Sequence, residues 1–180
     1  MTSETDSIQA MFCTALEMKE KKKALYGDAL KTCPDQVGQE TFRILLDAET
    51  EHTHQIDEIS QEFKQGKGWA DACKFYPAQE HLKKAFHRIA EEQRGAGPVC
   101  ADDIRALETG MKLENASIRF FEDQLKIATD PLARQFLERM VNDEREHFTL
   151  LADLKFYYSD PHAWFMEKGK ARLDGAGGVA

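Results

Sequence analysis

Shifted by 95 residues, the chain lies over itself without a gap from Thr14 to Ile59, and eight of those 46 positions are identical. A duplicated unit of this length holds two long stretches, so the repeat superposes a first pair of elements on a second. The pattern within each stretch is helical. Apolar residues recur three and four apart, β-branched residues are sparse, and the 5 Pro and 11 Gly fall mostly between the stretches.

The first expected helix covers 7–32 with the inward stripe Phe12, Leu16, Lys19, Lys23, Tyr26, Leu30, and the second covers 37–64 with Phe42, Leu45, Glu49, His52, Ile56, Ile59, Phe63. The third covers 103–128 with Leu107, Met111, Glu114, Ile118, Phe121, Leu125, and the fourth 131–158 with Leu137, Met140, Val141, Glu144, His147, Leu151, Leu154. Cys33-Pro34-Asp35 separates the first two, and Gly66-Lys67-Gly68 ends the second. Asp102 or Asp103 is the expected N-cap of the third, and Asp130-Pro131 opens the fourth with a cap and an N1 proline. The fold class is all-α: a four-helix bundle of two helix pairs, 8–64 and 103–158, making one domain over 1–158. The connection 65–102 carries a helix of its own near 78–93 and is long enough to cross the bundle. Ser159-Asp160-Pro161 then restarts the chain into a tail, 159–180, whose Trp164 and Phe165 are expected to pack on the bundle or on a partner subunit, with LDGAGGVA frayed at its glycines.

Composition narrows the function classes. In 180 residues, 24 Lys and Arg against 32 Asp and Glu give a net charge of -8, which repels phosphate backbones and anionic lipid, so neither nucleic acid nor membrane is an expected partner. MTSETDSIQAMF lacks the basic and apolar regions of a secretory signal, which predicts a cytoplasmic protein. Cys13, Cys33, Cys73 and Cys100 are too far apart for any C-x-x-C knuckle and read as reduced, structural residues.

What the repeat keeps is unusual. It lays Glu49 on Glu144, Glu51 on Glu146, His52 on His147 and Tyr26 on Phe121, so polar residues of an inward stripe are retained where a duplicated core would retain its apolar ones first. Both halves contain Glu-x-x-His, a spacing that puts carboxylate and imidazole about a turn apart on one helical face and suits a shared metal ion. Composition alone yields roughly 0.6 such spacings by chance, and Glu51-x-x-His54 is a third instance rotated off the stripe. Two instances at equivalent inward positions outweigh the bland alternative of hydrogen-bonded pairs. Glu114 adds a carboxylate from the third helix. His81 and His87 face different directions on the crossover helix, His162 beside Trp164 reads as a packing residue, and the KEKKK run at 19–23 reads as a partly solvated helix face.

A bundle that gives one Glu from each of two helices and Glu-x-x-His from each of the other two resembles the di-iron carboxylate proteins of the ferritin-like superfamily. ALEMKEKKKALY, LLDAETEHTHQIDEI, MKLENASIRFFEDQL and ERMVNDEREHFTLLADL resemble the four helices of its rubrerythrin-like branch, over residues 8 to 158. The resemblance implies a ferritin-like bundle with metal ligands Glu49, His52, Glu114, Glu144 and His147, Glu49 and Glu144 bridging. It implies one or two iron ions, with manganese or zinc as alternatives, and Tyr26 near them as hydrogen-bond donor or electron relay; a core tyrosine with a satisfied hydroxyl is the plainer reading. It further implies an oxidoreductase of oxidative-stress defence that reduces peroxide or activates dioxygen, and a homodimer. The cysteine spacing supplies no rubredoxin domain, so electrons would come from a separate donor protein.

The departure is in the first helix. The family's Glu seven residues before the aromatic maps onto Lys19, the repeat pairs Lys19 with Glu114, and a further carboxylate of the third helix maps onto Ser117. Three carboxylates and one ammonium leave two net negative charges, enough for one divalent ion rather than two. Three readings follow: a rubrerythrin-like oxidoreductase, a single-metal binding or iron-handling protein without turnover, and a metal-free structural descendant in which Lys19, with or without Lys23, replaces the metals.

Overall fold

The computed structural model describes residues 4–69 and 101–167. Four long helices fill them: α1 (Glu4–Thr32), α2 (Gln36–Lys64), α3 (Ala101–Ile127) and α4 (Pro131–Ser159), with no strand among the described residues. The short turns 33–35 and 128–130 make α1 with α2 and α3 with α4 antiparallel hairpins, which pack face to face, α1 against α3 and α2 more lightly against α4. The proposed crossover helix with His81 and His87, Cys73 and Cys100, and the glycine-rich end of the tail lie outside the described residues.

The two hairpin turns are built alike because the repeat reaches into them. Asp35 and Asp130, 95 apart, are both N-caps: Asp35 accepts from the backbone N–H of Val37 and Gly38, Asp130 from those of Leu132 and Ala133. Each side chain thereby satisfies donors that the first helical turn leaves open. Asp102 and Asp103, the expected caps of α3, instead lie inside its first turn, and Asp103 is buried.

Inward stripes on α2 and α4 agree residue for residue with the periodicity. On α1 the stripe is displaced. The buried residues are Met11, Phe12, Ala15, Lys19, Lys22, Tyr26 and Ala29, followed by Cys33 just past the helix, while Leu16, Lys23 and Leu30 sit half-buried at the flank. The physical reason is the spacing between helices: small residues go where α1 is crowded, and the leucines cover the seam from the side. The same happens on α3, where Gly110 and Ser117 are buried and Met111, Ile118 and Leu125 flank them. A Cβ added at Gly110 would stand 3.0 Å from Leu151 and 3.2 Å from Tyr26, so this glycine sets how closely α3 approaches its neighbours.

Two apolar clusters close the bundle at either end. Phe12, Phe63, Trp69, Phe136 and Met140 are among those that fill one; Phe42, Leu45, Leu107, Leu154 and Trp164 are among those that fill the other. Between them lies a layer of charged side chains. The tail restarts as expected, with Asp160 accepting from the Ala163 N–H at 2.8 Å and residues 161–167 helical, and Trp164 packs edge-on against Tyr157 at 5.5 Å. His162 is exposed, so it does not pack against the bundle.

At the α1–α2 turn, Tyr158 from the end of α4 donates to the Asp35 carboxylate, and the Cys33 thiol lies 3.6 Å from both Asp35 Oδ2 and the Tyr158 hydroxyl. Burial pushes the Cys33 thiol up, consistent with a packed rather than a reactive cysteine. A Cβ at Gly38 would overlap the Tyr158 hydroxyl and Cys33 Sγ and stand 2.8 Å from Asp35 Oδ2. Gly38→Ala is therefore expected to destabilise the fold by about 1–3 kcal/mol, as overpacking does. Urea denaturation against a control such as Gly27→Ala, where the added Cβ meets nothing, measures it.

Candidate metal centre

The charged layer draws on every helix. α2 brings Glu49 and His52, α3 brings Glu114, α4 brings Glu144 and His147, and α1 brings Lys19, Lys22 and Tyr26; the three carboxylates, both lysines and Tyr26 are 0% exposed. All five proposed ligands thus meet in one place. His54, of the third Glu-x-x-His, points to solvent near Glu58. Lys23 is not part of the cluster: it pairs at 2.8 Å with the exposed Glu20. Its predicted place is taken by Lys22, one turn after Lys19 and one before Tyr26, which the stripe drawn through Leu16 and Leu30 passed over. The repeat held the signal, because it lays Lys22 on Ser117 just as it lays Lys19 on Glu114.

Each ammonium group is held by carboxylates. Lys19 Nζ donates to Glu144 Oε1 and to His52 Nδ1 at 3.2 Å, and lies 3.0 Å from Glu49 Oε2. Lys22 Nζ donates to Glu144 Oε2 and to Glu114 Oε2 at 2.9 Å, and lies 2.6 Å from Glu49 Oε1. Glu49 and Glu144 therefore each give one oxygen to each lysine. Tyr26 donates its hydroxyl to Glu114 Oε1, and His147 Nδ1 is 3.0 Å from Glu49 Oε1. The satisfied tyrosine is what the plainer reading of Tyr26 anticipated.

Electrostatics sort these groups into charged and neutral. Burial opposes ionisation of Glu49 and Glu144, but Lys19 and Lys22 outweigh it and hold both carboxyls well below the usual range. Burial dominates at Glu114, where Glu144 and Glu49 add repulsion and only Lys22 counters, so its carboxyl is held well above that range. Burial works against charge on Lys22, yet Glu144, Glu49 and Glu114 together raise it well above its ordinary value. Two ammonium groups thus face two carboxylates and one carboxylic acid, and the layer is neutral with no added ion.

His52 is buried, and burial with the nearby Lys19 lowers its pKa, so it is neutral. It accepts from Lys19 at Nδ1, which leaves Nε2–H to donate to Asp143 Oδ2 at 3.1 Å. Asp143 in turn lies 3.6 Å from Arg139 Nε. The lone pair of His52 is thereby aimed into the cluster. The two imidazoles stack at 5.5 Å between ring centres.

As donors, Glu49, His52, Glu144 and His147 fit a metal ion. Each offers a ligand atom, these atoms lie within 4.8 Å of one another, and mixed carboxylate and imidazole donors suit iron, manganese or zinc. Glu49 Oε2, buried and without an aligned hydrogen bond, is a further lone pair directed at that position. The Rubrerythrin family model matches residues 36–155 of the chain. The chain belongs to the rubrerythrin family. No curated protein and no solved structure matches it. Family membership and this donor set together support iron binding. A pair of ions in the family's manner fits less well, because α1 gives two ammonium groups where the pattern has a carboxylate.

Removing one member of a buried charge cluster strands its partners, at a cost of about 3–5 kcal/mol. Lys22→Ala is expected to lose that much stability in chemical denaturation, while Lys23→Ala changes it by about 0.5 kcal/mol or less, as exposed pairs do. Equal effects would mean that the buried register of α1 is not the one described.

Proposed function

We propose that this rubrerythrin-family chain binds a single iron ion through Glu49, His52, Glu144 and His147, at the position where the Lys19 ammonium now rests. The observation that supports it most directly is the Lys19 environment, with Glu144 Oε1, His52 Nδ1 at 3.2 Å and the poorly satisfied Glu49 Oε2 at 3.0 Å around one cation position. Charge favours the same stoichiometry. With Lys19 withdrawn and Glu114 ionised, three carboxylates and Lys22 leave two negative charges, which one divalent ion balances.

Each residue of the chain has a defined task. Asp143 fixes the tautomer and orientation of His52 through Nε2. Tyr26 holds Glu114 from its far oxygen, and the apolar clusters on either side exclude water from the layer. When bound, the iron supplies a redox couple for reducing peroxide or activating dioxygen, with electrons returned by a separate donor protein. This activity, a place in oxidative-stress defence and a homodimeric state are carried over from the family resemblance, a cytoplasmic location from the N-terminal sequence, and all belong to the proposal.

Anaerobic equilibrium dialysis with ferrous iron tests it. We expect about one iron per chain, with Lys19→Glu binding about tenfold more tightly or better because an ammonium competitor becomes a ligand. Absence of uptake by both proteins, or two irons in the parent chain, overturns the one-ion reading. The redox part is measured separately as peroxide consumption by the iron-loaded chain supplied with a reductant, and a rate no higher than that of the metal-free chain removes it.

A further inference from the structure

Glu49 and Glu144 define two cation positions, since each directs one oxygen to Lys19 and the other to Lys22. The two positions are unlike. Around Lys19 stand two carboxylate oxygens and one imidazole nitrogen. Around Lys22 stand three carboxyl oxygens, from Glu49 at 2.6 Å, Glu114 at 2.9 Å and Glu144, of which those of Glu114 and Glu144 accept from its ammonium group. Lys22 can leave only by depriving all three carboxyl groups of a partner, and Glu114 faces no other lysine.

We propose that Lys22 is a built-in cation that permanently holds the second metal position of this family's centre, so that it determines the metal stoichiometry and lets the bundle fold without metal. A covalently attached ammonium needs no supply from solution, and its entropy of capture is met when α1 folds onto the bundle. The repeat adds to this: where it puts Lys22 on α1 it puts only a small hydroxyl on α3, Ser117, which is buried and has no hydrogen-bond partner. The proposal rests on the reading of the site as a metal centre for the identity of the two positions. It does not require that the parent chain bind iron.

The test compares the parent chain with Lys22→Met, which keeps the unbranched apolar stem and removes the ammonium group, each stripped with chelator and then titrated with manganese(II). The metal-free parent is expected to remain folded and to melt cooperatively after chelation. Metal-free Lys22→Met is expected to melt about 10 °C lower or more, to recover with manganese, and to bind one ion per chain more than the parent by elemental analysis. If Lys22→Met does not fold without metal, the double variant Lys22→Met/Glu144→Gln, which removes the stranded charge, is expected to fold and to restore most of the loss. A parent that unfolds on chelation overturns the proposal. So does a Lys22→Met protein as stable as the parent with no gain in metal, or a double variant no more stable than the single one. A parent that binds no manganese or iron while Lys22→Met gains both metal and metal-dependent stability overturns only the one-iron reading.

Discussion

The structure depends on the ion cluster at mid-bundle, two ammonium groups against three carboxyl groups with no solvent between them. Either set alone would be intolerable there: an unpaired buried charge costs several kcal/mol, and a few such groups together would exceed the whole stability of a chain this size. Pairing makes the layer neutral, and neutrality lets two apolar clusters close over it. The helices that carry these groups cannot slide or rotate independently, because a displaced lysine leaves behind an oxygen that no water reaches.

The cluster also makes the chain's departure from its family intelligible. The bridging arrangement of Glu49 and Glu144 is kept, with each carboxylate spanning two positive centres. What differs is the source of the positive charge. Because the anionic half is retained almost intact, the proposed recruitment of a metal ion calls for Lys19 to swing aside and Glu114 to ionise, and not for a change of fold.

Much of this was legible in the sequence. Helix limits followed from proline, glycine and aspartate punctuation to within a few residues, and the five acidic and imidazole groups followed from the polar residues that the repeat retained. The inward face of α1 did not. Its periodicity admits two phases, and large leucines at 16 and 30 drew the stripe toward Lys23, whereas the helix turns Ala15, Lys22 and Ala29 inward. Hydrophobicity could not decide between the phases because the inward residues are small or charged. What decides them is close packing against α3 and the pull of three carboxyl groups on Lys22, both of which exist only once the four helices have met.

The junction of Asp35, Tyr158, Cys33 and Gly38 has a role beyond capping. It ties the end of α1 and the start of α2 to the last turn of α4, with Gly38 allowing the approach. From Cys33 back to Lys22 is eleven residues of unbroken helix, about 16 Å of rigid rod. A rod clamped at one end transmits an axial displacement undiminished, so the junction acts as a depth gauge for the two ammonium groups. Natural variation in that turn, far from any charge in the cluster, would be read out as a change in how firmly the cations are seated.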